Sequence, residues 1–241
     1  MLKRALLGGL AALFVLAAHA DANDTADIKK TVEAALGRGM KVDTVREAGA
    51  LGLYEVVIGG KILYTDKKAA YLVDGDIIDP KAHRNLTEER RNKLAQIKFS
   101  DLPLDLAVKQ VRGNGKRVFA TFEDPNCGYC KKLAHEMQGM TDVTIYTFLY
   151  PILSPDSGDK SKAIWCAPDK AKAWNSWMIS GAEPAAASAK CDAPNEKVVA
   201  LGRKLNINGT PTIFFADGSR VPGYIPAAQL EQTIAKIGAG N

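Results

Sequence analysis

Apolar and polar positions in the first third of the chain alternate as they do in a short helix followed by a hairpin. Apolar residues at helical spacing predict an amphipathic helix over residues 25–36, which Gly37 and Gly39 end. Two apolar runs, 53–58 and 61–65, are separated by a pair of glycines and predict a β-hairpin. The pattern therefore predicts a helix packed on antiparallel strands.

A second hairpin is predicted over residues 70–73 and 76–78, around the turn pair Asp74-Gly75. With the preceding elements it makes an α+β unit of about 60 residues, which is small for an independent core. Such a unit commonly needs additional burial, and its edge strands are natural places for pairing with a second copy. We therefore assign residues 21–82 to an N-terminal dimerisation domain.

A highly charged helix is predicted between two prolines. Residues 85–98 carry few apolar side chains, so this segment suits a connector between domains better than a core helix. Pro80 ends the preceding strands and Pro103 closes the segment. We assign residues 83–103 to a linker helix.

The remaining residues, 104–241, change to longer buried strands and helices. A strand–helix–strand stretch precedes a long helical stretch, and a hairpin and a last helix follow. This order is typical of an α/β layer arrangement with a helical insertion over about 155–205. The individual predictions are strands over 117–123, 143–149, 212–215 and 220–221, and helical segments over 127–140, 157–205 and 226–237.

The N-terminus has the three parts of an export signal. Lys3 and Arg4 precede an apolar run over residues 6–18, and Ala18-His19-Ala20 matches the small-x-small cleavage pattern. The run is shorter than the roughly 20 apolar residues of a membrane span, although an uncleaved anchor stays open as an alternative. We expect a signal peptide over residues 1–20 and export to an oxidising compartment, where disulfides persist.

Composition and charge argue against nucleic acid as a partner. Of the 241 residues, 46% are hydrophobic and 24% are charged, which is ordinary for a globular protein. The net charge of +5 falls to +3 without residues 1–20, since 30 basic and 27 acidic side chains then remain. These charges are dispersed, whereas nucleic-acid binding needs a concentrated basic face.

Two cysteines at a strand-to-helix junction carry the clearest chemistry. Cys127 and Cys130 form a C-x-x-C motif at the predicted start of a helix. Unpaired backbone N–H groups and the helix dipole stabilise a thiolate there, so Cys127 can attack a disulfide and Cys130 can resolve the product. A structural disulfide or a zinc site stays open as an alternative, while Lys131 in place of histidine excludes c-type haem.

Cys166 and Cys191 complete the four cysteines, which allow three pairings. A structural disulfide between them, inside the helical insertion, is the simplest interpretation and would stabilise the fold by roughly 3–4 kcal/mol through loop closure. A second redox pair is the alternative, but neither residue lies in a thiol motif.

The segment Gly209-Thr210-Pro211-Thr212 stands directly before an apolar strand. Proline cannot donate to a sheet ladder and usually lies at the first residue of a strand or at an edge. A cis Thr210–Pro211 bond would present the Thr210 backbone to a passing peptide, which could add as an extra strand beside the cysteines. An ordinary trans turn is the expectation from these residues alone.

Together these features resemble the DsbC family of thiol:disulfide interchange proteins over essentially the whole chain after the signal segment. The C-x-x-C motif alone is weak, whereas four motifs in the family's order, with a paired-cysteine insertion, are specific. The four motifs lie over residues 122–131, 162–167, 209–211 and 221–224.

The resemblance implies an architecture and partners. It implies a periplasmic V-shaped homodimer in which N-terminal cystatin-like domains pair, a helix links, and C-terminal thioredoxin-fold domains face one another across a cleft. The implied activity is isomerisation or reduction of wrong disulfides in misfolded exported proteins, without a cofactor or a metal. The implied reductant is a membrane thiol reductase of the DsbD type.

Site residues follow from the same resemblance. It makes Cys127 the attacking thiol and Cys130 the resolving one, and it matches Cys166–Cys191 to the family's structural disulfide. It also implies a cis Pro211 in place of the trans turn. The residues expected to contact substrate are Gly128, Tyr129, Thr210 and Pro211.

One position departs from the commonest thioredoxins, which carry a buried acid six residues before the first cysteine. This chain has Thr121 there. Glu123 and Asp124 are nearer candidates for proton handling, although a turn or capping role suits both at least as well. His135 is more in keeping with a helix-surface residue than with a base.

Other functions stay open beside the isomerase. A DsbG-like reductase of oxidised cysteines and a redox-independent chaperone for unfolded chains are the main alternatives. Gly128 favours the isomerase weakly, since DsbG-type proteins carry proline there. A DsbA-like oxidase would not need a separate pairing domain.

Overall fold

The computed structural model describes residues 22–37, 39–188 and 190–239, which divide into two compact units between Thr87 and Glu88. The signal peptide predicted over residues 1–20 lies outside the described residues. Within the described ranges, no helix combines the length and the apolarity needed to cross a membrane.

The first unit places one helix against a four-stranded antiparallel sheet. Helix α1 spans Ala22–Leu36, and the strands β1 (Thr44–Glu47), β2 (Tyr54–Ile58), β3 (Lys61–Thr65) and β4 (Leu72–Val73) lie in the order β1-β2-β3-β4. The predicted helix and the first predicted hairpin are confirmed. Strand β1 was not singled out because its sequence, TVRE, has one apolar residue and is largely exposed.

The core of this unit forms between α1 and one face of the sheet. Ile28 and Val32, one helical turn apart, pack in one buried cluster with Tyr54 and Val56 of β2. On the opposite face, the buried carboxylate of Glu55 pairs with Arg46 of the neighbouring strand β1. Successive side chains of β2 therefore face two different environments, the apolar core on one face and the ion pair with Arg46 on the other.

The second predicted hairpin is wrong. Strand β4 pairs with β3, while Ile78–Asp79, here β5, pairs with Arg84–Asn85, here β6, in a separate ribbon. The cause is the turn after β3, where the Asp66 carboxylate accepts hydrogen bonds from three backbone N–H groups within the next five residues. That turn folds the chain back onto β3 before the Asp74-Gly75 pair is reached.

The charged connector is shorter than predicted. Helix α2 spans Leu86–Leu94, against the expected 85–98. Its first turn is anchored by the buried Thr87 hydroxyl, which lies 2.6 Å from the Tyr64 hydroxyl and accepts the Ile77 N–H at 2.8 Å. Beyond the helix, the Ile97 N–H donates to the carbonyl of Gly218 within the second unit.

The second unit is built on a five-stranded mixed sheet. Its strands are β7 (Val108–Arg112), β8 (Arg117–Glu123), β9 (Val143–Leu149), β10 (Thr212–Phe215) and β11 (Arg220–Pro222). They lie in the order β11-β10-β8-β9-β7, and only β8 and β9 run parallel. Four of the strands are confirmed predictions, whereas β7 was missed because it carries only two apolar residues.

Within the described residues five α-helices follow β8, and each overlaps a predicted helical segment. They are α3 (Gly128–Glu136), α4 (Pro155–Trp165), α5 (Lys170–Ser180), α6 (Asn195–Lys204) and α7 (Ala227–Ala239). Helix α3 connects the parallel pair β8 and β9, as a parallel crossover requires. Helices α4 to α6 fill the long stretch between β9 and β10. The prediction over 157–205 is wrong in its middle, because residues 181–188 and 190–194 are not helical.

The two faces of the central strands pack against different helices. Phe119 of β8 lies in a buried cluster with Leu133 of α3 and Leu230 of α7. On the other face, Phe122 packs with Val198 of α6 and with Phe148 of β9. Alternate residues of β8 are therefore buried on both sides, as in a central parallel strand.

A disulfide joins Cys166, at the C-terminal end of α4, to Cys191, and this is the pairing that the resemblance implies. The two residues are 25 positions apart. The bond joins the stretch after α5 to the end of α4.

Helix α6 approaches the sheet closely at a glycine. A Cβ at Gly202 would lie 2.4 Å from the ring of Tyr150, which follows β9. The buried Tyr150 ring cannot move away easily, because its hydroxyl donates to the Ile207 carbonyl at 3.0 Å. By contrast, a Cβ at Gly158 in α4 would meet no atom within 4 Å.

We predict that Gly202→Ala destabilises the second unit by about 1–3 kcal/mol, because the added methyl overpacks a rigid contact. Gly158→Ala is the matched control and should raise stability by up to about 1 kcal/mol, since it removes a helical glycine into open space. Urea unfolding followed by tryptophan fluorescence checks both, since all three tryptophans lie in this unit. Equal effects of the two variants would contradict the packing argument.

Candidate active site

The loop between β8 and α3 is held by one buried carboxylate. Asp124 Oδ1 accepts hydrogen bonds from the Asn126 N–H at 2.8 Å and from the Ser157 hydroxyl at 2.7 Å. Its Oδ2 accepts the N–H groups of Ile152 and Leu153 at 2.8 and 3.0 Å. Asp124 therefore has the structural turn role that the sequence left open.

Cys127 is the N-cap residue of α3. Its backbone is extended, and its Sγ accepts the Cys130 N–H at 3.2 Å. The same sulfur lies 3.3 Å from the carbonyl oxygen of Thr210, 83 positions further along the chain. Cys127 is 6% exposed and Cys130 is 0% exposed, so Cys127 is the one of the two that reaches the surface.

The surroundings of Cys127 favour its thiolate. A hydrogen bond from the Cys130 side chain is the largest contribution, and it lowers the pKa of Cys127 from 9.0 to about 6 against the opposing effect of burial. The Thr210 side chain and the N–H groups of Cys130 and Tyr129 lower this pKa further. Two of these donors belong to the first turn of α3, which is the helix-terminus effect that the sequence predicts.

Cys130 is shifted in the opposite direction. Burial raises its pKa far above the usual range, and the hydrogen bond with Cys127 and the charges of Glu123 and Cys127 raise it further. The two thiols therefore differ strongly in proton affinity although one helical turn separates them. An ionised sulfur beside a protonated one suits attack by Cys127 and delayed reaction of Cys130.

The peptide bond between Thr210 and Pro211 is cis, as the resemblance implies. The loop is held on both sides, since the Thr212 hydroxyl donates to the Gly209 carbonyl at 2.9 Å and Gly223 N–H donates to the Pro211 carbonyl at 2.8 Å. The Thr210 hydroxyl is buried and has no hydrogen-bond partner in the geometry of the described residues. Its proximity to the Cys127 sulfur nevertheless lowers the pKa of that thiol.

An aromatic surface lies beside the cysteines. Tyr129 is 65% exposed, and its ring centroid is 6.0 Å from that of Tyr224. Lys132 Nζ lies 4.3 Å from the Tyr224 ring, and the Tyr224 hydroxyl donates to Glu136. A Cβ at Gly128 would meet no atom within 4 Å, so the dipeptide between the cysteines faces open space.

Glu123 is the residue of this site whose importance sequence reasoning understated. It is fully buried at the end of β8, and its Oε1 accepts the Thr121 hydroxyl at 2.7 Å. Burial raises the pKa of Glu123 to about 8, with a further contribution from the charge of Cys127, while the Thr121 hydrogen bond lowers it. His135, in contrast, is exposed on α3, as expected.

Trp177 was missed entirely, because nothing in its local sequence marks it. Its Nε1 donates to the Pro125 carbonyl at 2.6 Å, which supports the loop before Cys127. Lys131 and Lys160 place their ammonium groups 4.2 and 4.8 Å from its ring. Among the described residues, no cluster of three or more His, Cys, Asp or Glu side chains is placed to hold a metal ion.

The fold and the site agree with two family models. Residues 104–238 match the model described as a thioredoxin-like domain, and residues 17–88 match the disulfide bond isomerase protein N-terminal domain. With a buried dithiol at a helix N-terminus beside a cis proline, these matches define a thiol–disulfide exchange protein of the thioredoxin fold.

Similar proteins narrow the class. The chain is 53% identical over 193 residues to the "Probable thiol:disulfide interchange protein DsbC" of Bordetella parapertussis, covering 80% of this chain and 68% of that one. It is 30% identical over 200 residues to the thiol:disulfide interchange protein DsbC of Escherichia coli K12, covering 80% and 81%. The chain therefore belongs to the DsbC family of thiol:disulfide interchange proteins.

A solved structure shares the fold of part of this chain. The disulfide interchange protein from Neisseria gonorrhoeae is 48% identical, with a TM-score of 0.54, and covers 56% of this chain and 97% of its own.

We predict that alkylation of Cys127 by iodoacetamide rises with pH through a midpoint near 6, because the thiolate is the reacting form. Cys130 should stay unmodified, since it is fully buried. Thr210→Val should move the midpoint upward, because the hydroxyl that lowers the pKa is lost. Mass spectrometry of the modified cysteines checks this, and a midpoint near 9 in the unaltered chain would contradict it.

Proposed function

We propose that this protein is a periplasmic disulfide isomerase and reductase that acts on wrong disulfides of exported proteins through Cys127 and Cys130. The observation that carries the proposal is the placement of the two sulfurs, with Cys127 at the N-cap of α3 and Cys130 fully buried in the first turn. This placement lowers the pKa of Cys127 and raises that of Cys130. A thiolate of low pKa attacks readily at neutral pH and also leaves readily from a mixed disulfide.

The first step forms a mixed disulfide. The Cys127 thiolate attacks one sulfur of a client disulfide, a Cys127–client bond forms, and the other client sulfur leaves as a thiolate. In isomerisation another client thiolate attacks the client sulfur of this bond, and Cys127 leaves as a thiolate without net transfer of electrons. In reduction the Cys130 sulfur attacks the Cys127 sulfur instead, and the client sulfur leaves as a thiolate. The client has then gained two electrons over the two steps.

The substrate contacts belong to the same proposal. A client strand beside the cis Thr210–Pro211 bond would lie next to Cys127, because Thr210 contacts that sulfur. The exposed ring of Tyr129 and the open space at Gly128 support contact with a client on the other side. Apolar client side chains are the natural partners of such an aromatic surface.

Location, reductant and domain division complete the proposal. The export-signal pattern over residues 1–20 supports a periplasmic location. A Cys127–Cys130 disulfide formed by reduction needs two electrons, and a membrane thiol reductase of the DsbD type is the proposed source. We assign residues 21–82 to the dimerisation domain, 83–103 to the linker and 104–241 to the thioredoxin-like domain with its insertion over about 155–205.

We predict that Cys127→Ser abolishes recovery of ribonuclease activity from scrambled disulfides, because no thiolate remains to open them. The matched control is the double variant Cys166→Ser/Cys191→Ser, which should isomerise almost as well as the unaltered chain. Cys130→Ser should keep part of the isomerase activity, since the rearranging steps do not use it. Recovery by Cys127→Ser at the unaltered rate would overturn the proposed role.

We also propose that two copies pair through the outer edge of β4. In the described part of the chain, no strand lies beyond β4 in the first sheet. Tyr71 and Val73 are strongly exposed there, whereas the other edge strand, β1, is mostly polar. An exposed apolar edge of a small sheet is a surface that a second copy can cover.

We predict that Val73→Lys, at a position 51% exposed, converts the dimer to a monomer, because strand pairing would bury the added charge. Val111→Lys is the matched control on β7, an edge strand of the second sheet, where the side chain is 56% exposed. Light scattering gives the mass of each variant. A dimeric Val73→Lys variant would exclude this edge as the interface.

A further inference from the structure

Glu123 lies on the face of the sheet that carries α3. Phe119, Thr121 and Glu123 alternate along β8, and Phe119 packs against α3. The parallel register places Glu123 beside Leu149 of β9. Leu149 belongs to the buried cluster that contains both Cys127 and Cys130. The Glu123 carboxyl group therefore shares a buried compartment with the two thiols.

One oxygen of this carboxyl group has no partner. Oε1 accepts the Thr121 hydroxyl, whereas Oε2 is buried without a hydrogen-bond partner within the described residues. An unsatisfied buried acceptor costs about 1–3 kcal/mol and is rare in folded proteins. The neighbouring Asp124, with four donors, shows that this chain can satisfy a buried carboxylate fully.

The titratable groups that interact with Glu123 are the two thiols. Helix α3 contributes Cys127 at its cap and Cys130 in its first turn, and both interact electrostatically with Glu123. Strands β8 and β9 contribute the hydroxyls of Thr121 and Thr147. The neighbouring cations, Lys131 of α3 and Lys160 of α4, lie over the ring of Trp177 from α5.

We propose that Glu123 accepts the proton of Cys130 when Cys130 resolves a mixed disulfide, and that it thereby sets the balance between reduction and isomerisation. This inference rests on the proposed function, in which Cys127 forms the mixed disulfide and Cys130 resolves it.

In the resolving step a proton moves to Glu123 and an electron pair moves to the client sulfur. Since Oε2 has no hydrogen-bond partner in the resting geometry, the Cys130 proton passes to it through one bridging water as the Cys130 sulfur attacks the Cys127 sulfur. The Cys130–Cys127 bond forms, the Cys127–client bond breaks, and the client sulfur leaves with the electron pair. The client is reduced, the cysteine pair is oxidised, and the proton on Glu123 is later returned to a thiolate or to solvent.

Formation of the mixed disulfide prepares the acceptor. The charge of the Cys127 thiolate is one cause of the high pKa of Glu123, so the free reduced protein holds this carboxyl group largely protonated at neutral pH. The mixed disulfide removes that charge, and the pKa of Glu123 then falls below about 8. The base becomes available at the stage at which Cys130 has to lose its proton.

The test uses the full chain and an aromatic disulfide, dithiobis(nitrobenzoate), as the probe. Attack by Cys127 releases the first coloured thiolate, and attack by Cys130 releases the second, so stopped-flow absorbance separates the two steps. Glu123→Gln should slow the second release about a hundredfold at neutral pH, the low end for loss of a general base. The first release should change little.

The pH profile distinguishes a proton acceptor from a purely structural residue. In the unaltered chain the second release should rise with pH and level off after a midpoint below about 8. Glu123→Gln should lose that plateau and continue to rise. Thr121→Val should move the midpoint upward, because the Thr121 hydrogen bond lowers the pKa of Glu123. Glu196→Gln, on the exposed face of α6, is the matched control and should change neither step.

Each outcome decides one of the two proposals. A folded Glu123→Gln variant with an unchanged second release and an unchanged plateau overturns the proton-acceptor role. Where Glu123→Gln fails to fold, an unmoved midpoint in Thr121→Val overturns it. Absence of the first release in the unaltered chain would instead refute the proposed role of Cys127.

Discussion

The close approach of the Cys127 and Cys130 side chains at the start of α3 is the interaction on which the rest of the site depends. It is the largest contribution to the low pKa of Cys127, and it also raises the pKa of Cys130. One interaction therefore creates both an ionised sulfur and a protonated one within a single helical turn. The N-cap position adds backbone donors to the first sulfur, and burial keeps the second sulfur neutral. The division of labour between the cysteines follows from this asymmetry.

The fold brings the other half of the site to that contact. Strand β10 runs antiparallel to β8, with Thr212 opposite Phe122. The residues just before β10 consequently lie beside the residues just after β8, and Thr210 reaches Cys127 across 83 positions of sequence. Trp177 of α5 supports the loop between β8 and α3, and Asp124 in that loop binds it to the turn before α4. The sheet thus sets the distance between the loop after β8, which carries Cys127, and the loop before β10, which carries Thr210.

The adjacent buried carboxyl groups of Glu123 and Asp124 have different roles because their hydrogen-bond partners differ. Asp124 meets four hydrogen-bond donors, which compensate its burial and make it a fixed anchor for the loop. Glu123 meets one donor and keeps a high pKa, so its proton is exchangeable near neutrality. Strand alternation separates them, because successive side chains point to opposite faces of the sheet. The sequence motif alone does not distinguish the roles of these two acids.

The sequence by itself determined the features that depend on a few neighbouring residues. The strands β8 to β10, the hairpin of β2 and β3, the C-x-x-C motif at a helix start and the family resemblance all follow from short-range pattern and spacing. Tertiary structure decided the partners of each element and the environment of each side chain. It paired β4 with β3 after the Asp66 turn, it placed Trp177 under the loop, and it buried Glu123 beside the thiols. The physical reason is that backbone periodicity is a property of a few neighbouring residues. Burial, and the pKa values that depend on it, arise only when distant segments exclude water together.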